Sequence, residues 1–275
     1  MICAWNSLMD ILPPWLRQEA DKHGRELLQE LRMRINAPPE LVLSQQVKWL
    51  DRKVHKEDIN FCINMASQYS PWASKSISNG YITAPGGHRI GICGETVFCD
   101  NIVSGIRSVR SICIRVARDF QGISNKITVD EKSILILGAP GWGKTTLLRD
   151  LARRISIDET VCVVDERGEL FPEQFPCGKR MDVLTGCPKS IGLDMALRTM
   201  GPDRIVLDEI TALEDADAVI RAVGCGVGIL ATAHASSLDD MKKRPIYRKL
   251  WESGVFESIV VLHPDRSYHK ERICL

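Results

Sequence analysis

From Lys126 onward, short unbroken apolar runs alternate with stretches whose apolar residues recur every three or four positions. An unbroken run of bulky residues is the mark of a strand buried on both faces. Helical spacing between such runs supplies the cover, so the pattern predicts an α/β layer structure with a parallel sheet. The expected strands are Ile134–Leu137, Val161–Val164, Arg204–Leu207, Val227–Ala231 and Ser258–Leu262, with a further one at Arg272–Cys274. The expected helices lie near Lys144–Ile155, Ile191–Met200, Leu213–Cys225 and Leu238–Glu252.

Before Lys126 the pattern is different. Met1 to about Gln29 reads as helical, with Pro13-Pro14 opening a helix and Trp15 and Leu16 on its apolar side. Leu31, Met33 and Ile35 then alternate with Arg32 and Arg34, the signature of a half-buried strand. Pro38-Pro39 ends it, and Leu41-Val42-Leu43 begins another. Asp58 to Tyr69 has helical spacing, and Ser76 to Asp119 reads as antiparallel β. There, Tyr81-Ile82-Thr83, the turn Pro85-Gly86-Gly87 and Arg89–Cys93 have hairpin form, with strands near Glu95–Val103 and Ser111–Val116 to follow. The Gly, Ser and Asn content of Asp119–Lys126 suits a linker. The expected organisation is therefore a smaller α+β domain over residues 1–124 and an α/β domain over 125–275.

The first strand of the second domain leads into Gly138-Ala139-Pro140-Gly141-Trp142-Gly143-Lys144-Thr145-Thr146, which fits G-x-x-x-x-G-K-[ST] between a strand and a helix. Glycines let backbone N–H groups curl around a polyphosphate with no Cβ in the way, and the new helix aims its positive end at the same oxygens. Lys144 is placed to reach the β- and γ-phosphates of a triphosphate, and the Thr145 hydroxyl to ligate Mg²⁺. Trp142 carries no donor toward phosphate and is expected near the base or a neighbouring subunit.

In open α/β sheets the ligand sits at the carboxyl ends of the strands. Asp208 and Glu209 end the third strand, in RIVLDEI. Asp208 is expected in the Mg²⁺ shell, and Glu209 is expected to orient or deprotonate the attacking water. Asp165-Glu166-Arg167 ends the second strand. Glu166 reads equally as a carboxylate beside the phosphate loop and as a solvent-facing charge. His234, after the fourth strand, is a candidate to sense the γ-phosphate. Arg198 and Arg204 flank the approach to Asp208, and Arg107, Arg110, Arg115 and Arg118 cluster at the end of the first domain. Each is either part of a solvated basic face or a neutraliser of phosphate charge, in one case an arginine finger across a subunit boundary.

Composition narrows the partners. The 275 residues carry a net charge of +1, which calls for neither nucleic acid nor an anionic membrane. A nucleic-acid reading therefore rests only on local basic sites, Arg32, Arg34 and Lys242-Lys243-Arg244. No apolar run approaches the ~18 residues of a membrane span. The N-terminal stretch lacks the basic start, apolar block and cleavage site of an export signal. The ten cysteines include no C-x-x-C pair and read as free thiols in a reducing cytoplasm.

These motifs together resemble the RecA-like ATPases of type II and type IV secretion and pilus systems. In that family a P-loop is followed by an acidic box, a Pro-Asp stretch running into [DG]-E-I, and T-x-H. The counterparts here are Gly138–Thr146, Asp165-Glu166, Pro202-Asp203 running into Asp208-Glu209-Ile210, and Thr232-Ala233-His234. ELRMRINAPPELV, NGYITAPGGHRIGICG and SICIRVARD extend the likeness into the first domain, toward a sporulation branch found in endospore-forming bacteria. The resemblance implies a RecA-like core and a mother-cell cytoplasmic ATPase using ATP and Mg²⁺. It also implies a homo-hexameric ring docked on membrane channel proteins between mother cell and forespore, with no stable nucleic-acid partner. Arg115 and Arg118 become candidates for contacting bound ATP when first domains close on nucleotide. Secretion ATPases usually carry Gly where this chain has Asp208.

Overall fold

The computed structural model describes residues 1–44, 46–68, 80–99 and 102–273. It divides the chain into two units, Met1–Asp119 with Pro172–Phe175, and Phe120–Phe171 with Pro176–Leu275.

The first unit begins with three short helices where one was expected: α1 (Trp5–Asp10), α2 (Pro14–Asp21) and α3 (Gly24–Leu27). Pro14 opens α2 because its missing N–H is one that a first turn leaves unbonded. Gly24, at φ +69°, breaks the run again, and Leu28 is already extended. The strands are β1 (Leu28–Arg34), β2 (Glu40–Leu43), β3 (Val47–Trp49), β4 (Tyr81–Thr83), β5 (Arg89–Cys99) and β6 (Ile102–Arg115). They form an antiparallel sheet in the order β3-β2-β1-β6-β5-β4. α4 (Lys56–Ser67) adds Ile59 and Cys62 to a core with Leu31, Met33, Ile90 and Ile114. Tyr69 and residues 76–79, where sequence reading extended a helix and began the β region, lie outside the described residues.

The strands anticipated at Arg89–Cys93 and from Glu95 are one strand as far as Cys99, while Ile102 and Val103 belong, with Ser111–Arg115, to its longer partner β6. The register of β5 slips between Cys93 and Glu95. At that slip a Cβ on Gly94 would lie 2.8 Å from the Arg107 carbonyl oxygen, so only glycine allows the close approach. Arg32 and Arg34, read as a basic face, are paired within the sheet, Arg32 with Glu30 and Arg34 with Glu40 at 2.9 Å.

His88, fully buried, stitches this unit together. Its Nδ1 accepts the Ala117 N–H at 3.1 Å, and its Nε2 lies 3.0 Å from the Ala4 carbonyl. Only a neutral ring with the proton on Nε2 serves both partners. Burial lowers its pKa, opposed by the bond to Ala4. As pH falls, the unfolded chain takes up this proton first, so the stabilisation is complete above the unfolded value of about 6.5 and is lost through the depressed folded value. Melting temperature is thus expected to fall between about pH 7 and pH 5, each unit of depression being worth about 1.4 kcal/mol. His88→Gln should flatten that part of the profile, and an unchanged slope counts against the assignment.

The second unit is built on β7 (Ile134–Leu137), β8 (Val161–Asp165), β9 (Met181–Thr185), β10 (Arg204–Leu207), β11 (Gly228–Ala233), β12 (Ser258–Leu262) and β13 (Tyr268–Arg272). Their order is β13-β12-β7-β11-β10-β8-β9, parallel throughout except for antiparallel β13. The helices are α5 (Lys144–Ile155), α6 (Lys189–Thr199), α7 (Leu213–Gly224), α8 (Leu238–Lys243) and α9 (Pro245–Glu252). Every residue of β7, β8, β10, β11 and β12 is buried. The apolar faces meet two core clusters, one including Leu147, Leu148 and Leu151 of α5 and the other Val219 and Ala222 of α7.

Three expectations are corrected here. Leu238–Glu252 is two helices, because Pro245 cannot continue the first and instead opens the second. The last strand is Tyr268–Arg272 rather than Arg272–Cys274, and Cys274 lies outside the described residues. Arg204 is structural rather than phosphate-facing. It starts β10, at the opposite end from Asp208, where it binds both Glu159 carboxylate oxygens at 2.6 and 2.7 Å and the Glu131 carbonyl at 2.8 Å. The described cysteines are free thiols, and burial pushes that of Cys162 up to about 11.

Candidate functional site

Because β7, β11, β10 and β8 run parallel, their carboxyl ends share one edge of the sheet. The Gly138–Thr146 loop leaves β7 there. Gly141 and Gly143 take φ values of +81° and +102°, which an L side chain rarely adopts. α5 starts at Lys144, so its unpaired N–H groups open onto the loop. Pro140 and Gly141 are exposed. Trp142 is half-buried against the cluster that holds Ile136 and Leu147.

The loop's own chemistry is already engaged by the neighbouring strands. Lys144 is buried, and its ammonium donates to the Ala139 carbonyl at 3.2 Å and to His234 Nδ1 at 2.9 Å. Burial pulls its pKa down, while the charges of Glu209 and Asp208 act the other way. An ammonium has only donors, so Nδ1 accepts and the ring proton sits on Nε2. That Nε2 lies 2.6 Å from Glu209 Oε1, which completes a chain from Lys144 through His234 to Glu209.

A second set of bonds fixes the carboxylates. Thr145 Oγ1 donates to Asp208, 3.1 Å from Oδ2 and 3.3 Å from Oδ1. The Thr232 hydroxyl donates to Asp208 Oδ1 at 2.7 Å and accepts the Glu209 N–H at 2.9 Å. Glu209 itself holds φ +28°, a conformation that costs on the order of 1–3 kcal/mol away from glycine. Such strain persists only where the surroundings over-determine it, here through Thr232 and Asp208. The structure therefore brings Lys144, Thr145, Asp208, Glu209 and His234 into one bonded group.

Glu166 stands apart from that group. It follows β8, with β11 and β10 lying between β8 and β7 in the sheet, and the bond described for it goes to Lys189 rather than to the phosphate loop. Its Oε2 accepts from Lys189 at 2.5 Å, and its side chain is 39% exposed while that of Lys189 is 6% exposed. Asp165, one residue earlier, is consumed by the fold. Its carboxylate accepts the N–H groups of Glu169, Leu170 and Phe171 at 2.8–3.1 Å, and burial raises its pKa. Arg115 and Arg118 belong to the first unit. There Arg115 reaches Glu30 at 3.3 Å and Arg118 donates to the Leu28 carbonyl.

Sequence reading named Thr232 only as part of the T-x-H match, with no role of its own, and did not single out Lys189. Thr232 carried a usable signal, two residues ahead of His234 on a strand and hence on the same face. Lys189 carried none, because a lysine starting a helix usually faces solvent.

A family model described as Sporulation stage III, protein AA, matches residues 6–271. The chain belongs to that family. It is 34% identical over 277 residues to the stage III sporulation protein AA of Bacillus subtilis (strain 168), covering 94% of this chain and 90% of that one. The type IV secretion system protein VirB11 of Bartonella henselae is 36% identical over 129 residues, 44% of this chain and 35% of its own. The solved structure of the pilus retraction motor PilT with bound ADP superposes with a TM-score of 0.63 at 15% identity, covering 94% of this chain and 81% of that one. The fold is therefore the RecA-like P-loop fold of secretion and pilus ATPases. Among the described residues no helix is long and apolar enough to cross a membrane.

Proposed function

We propose that this member of the family hydrolyses ATP with Mg²⁺ and uses the cleavage to energise or assemble a channel between mother cell and forespore. It would act as a homo-oligomeric ring, most simply a hexamer, on the cytoplasmic side of the membrane. One observation carries the reading: Thr145 and Asp208 are bonded at the foot of a phosphate loop whose lysine is tied through His234 to Glu209.

The donor set fits magnesium. A hydroxyl and a carboxylate are the hard oxygen ligands this ion takes, and two protein ligands leave room for the waters and phosphate oxygens it retains. Thr145 and Asp208 would hold it, and when bound it neutralises charge building on the β- and γ-phosphate oxygens. The residues do the rest. The loop N–H groups and Lys144 bind and orient the triphosphate, Glu209 takes the proton of the attacking water, and His234, bonded to both Lys144 and Glu209, responds to the γ-phosphate through the lysine. Arg115 and Arg118 are the first unit's candidates to supply further positive charge.

Phosphate release from ATP by the purified chain, with Mg²⁺ and with EDTA, tests the reading. Magnesium-dependent release supports it, and no release at any protein concentration that permits assembly sinks it. A nucleic-acid-dependent alternative finds little support, because Arg32 and Arg34 are paired with Glu30 and Glu40, and Arg244 with Asp240 at 3.3 Å.

A further inference from the structure

Tyr247 lies in α9, and nothing in its spacing sets it apart from a core aromatic. It is 5% exposed, packed in the cluster that also holds Leu250 and Phe256. Its hydroxyl is the side chain's one polar atom, and that atom is used twice. It accepts the His234 backbone N–H at 3.3 Å and donates to the Ile210 carbonyl at 3.0 Å. Burial raises the phenol's pKa, so it remains a donor across the physiological range.

The two groups it joins belong to the two loops whose side chains meet at 2.6 Å, Glu209 and His234. Ile210 directly follows the strained Glu209, whose φ of +28° does not hold itself. On one side Glu209 and Ile210 are pinned to Thr232, at 2.9 Å through its hydroxyl and 3.2 Å through its carbonyl. On the other side the pin is the Tyr247 hydroxyl. α9 is itself anchored, since Lys249 pairs with Asp217 of α7 and Leu250 is buried.

We propose that Tyr247 is a positioning residue for ATP hydrolysis: its hydroxyl fixes the Glu209 and His234 loops in the register at which carboxylate and imidazole meet. The inference rests on the hydrolytic reading of the site. It predicts a loss in the chemical step without a loss in binding, because Tyr247 touches neither the phosphate loop nor its lysine in the bonds described above.

Tyr247→Phe keeps the ring and removes only the bridge. Its kcat for magnesium ATP is expected to fall by about 10- to 100-fold, the scale of small misalignments of reacting groups, with KM and ADP affinity within about two-fold of wild type. Leu250→Val is the control for loosened packing on the same helix. If it lowers kcat as much at a matched loss of melting temperature, the role is merely structural and the proposal fails. A second readout needs no turnover: ¹⁵N spectra of the His234 ring should show the Nε2-protonated tautomer in wild type and a mixture in Tyr247→Phe. Should Tyr247→Phe not fold, 3-fluorotyrosine placed at 247 keeps the shape and alters only the strength of the two bonds. An unchanged kcat and an unchanged tautomer ratio across the substitutions that fold overturn the inference. If the wild type releases no phosphate but the tautomer ratio still depends on Tyr247, the hydrolytic reading fails while the loop coupling stands.

Discussion

Glu209→Gln is expected to lower phosphate release from magnesium ATP by about 10²–10⁴-fold, the usual contribution of a positioned general base, while nucleotide stays bound. Glutamine is nearly isosteric, and its carbonyl still accepts the proton on His234 Nε2, so the 2.6 Å contact survives in kind. What it lacks is basicity. The backbone conformation at φ +28° is held by Thr232 and Tyr247 rather than by the carboxylate, and the variant should therefore fold normally. Single-turnover phosphate release, alongside retention of a fluorescent ATP analogue on gel filtration, measures both halves. Turnover within two-fold of wild type would remove Glu209 from the chemistry and leave Glu166 as the acid to test.

Lys144→Ala attacks the other end of the same chain. The ammonium is buried, its pKa is pulled down by that burial, and its described partners are a carbonyl and an imidazole nitrogen. Deleting one member of a desolvated charge contact costs about 2–5 kcal/mol, which is upward of about 30-fold in ATP affinity. The nucleotide-free protein loses much less, since the same change removes a desolvation penalty. Melting curves with and without magnesium ATP separate the two effects. The wild type should rise with ligand, and the variant should start near the same value and fail to rise. A ligand-induced shift equal to wild type refutes the role given to Lys144. In sporulating cells the two variants also divide a motor from a nucleotide-gated scaffold. Both fail if cleavage drives the process, whereas Glu209→Gln cells sporulate if occupancy suffices.

Strands with continuous apolar runs were all legible, with β8 running one residue longer than expected and β11 shifted to Gly228–Ala233. Ile134–Leu137, Arg204–Leu207 and Ser258–Leu262 have the bounds their composition predicts, because a strand buried on both faces is an apolar run, with a polar residue only at its first position, as at Arg204 and Ser258. β9 (Met181–Thr185) and β3 (Val47–Trp49) escaped notice for the complementary reason. They are edge strands, β3 exposed throughout and β9 part-buried, and polar residues such as Asp182 and Lys48 blur the pattern. In the site, the residues proposed to meet phosphate announce themselves by spacing in a single segment, as Gly138 to Thr145 do. Tyr247 does not, because its function depends on a backbone N–H at 234 and a carbonyl at 210 arriving at one point. The displacement of Glu166 is of the same kind. Its acidity is visible in sequence, but strand order, which inserts β11 and β10 between it and the loop, is not.

The chain from Lys144 to His234 to Glu209 makes nucleotide arrival an exchange rather than a simple addition. A γ-phosphate competes with the imidazole for the lysine, and when product departs that imidazole is on hand to take its place. Affinity is then a difference between two sets of contacts. If the proposed hydrolysis drives a cycle, letting go once per turn is served by an internal substitute for the product.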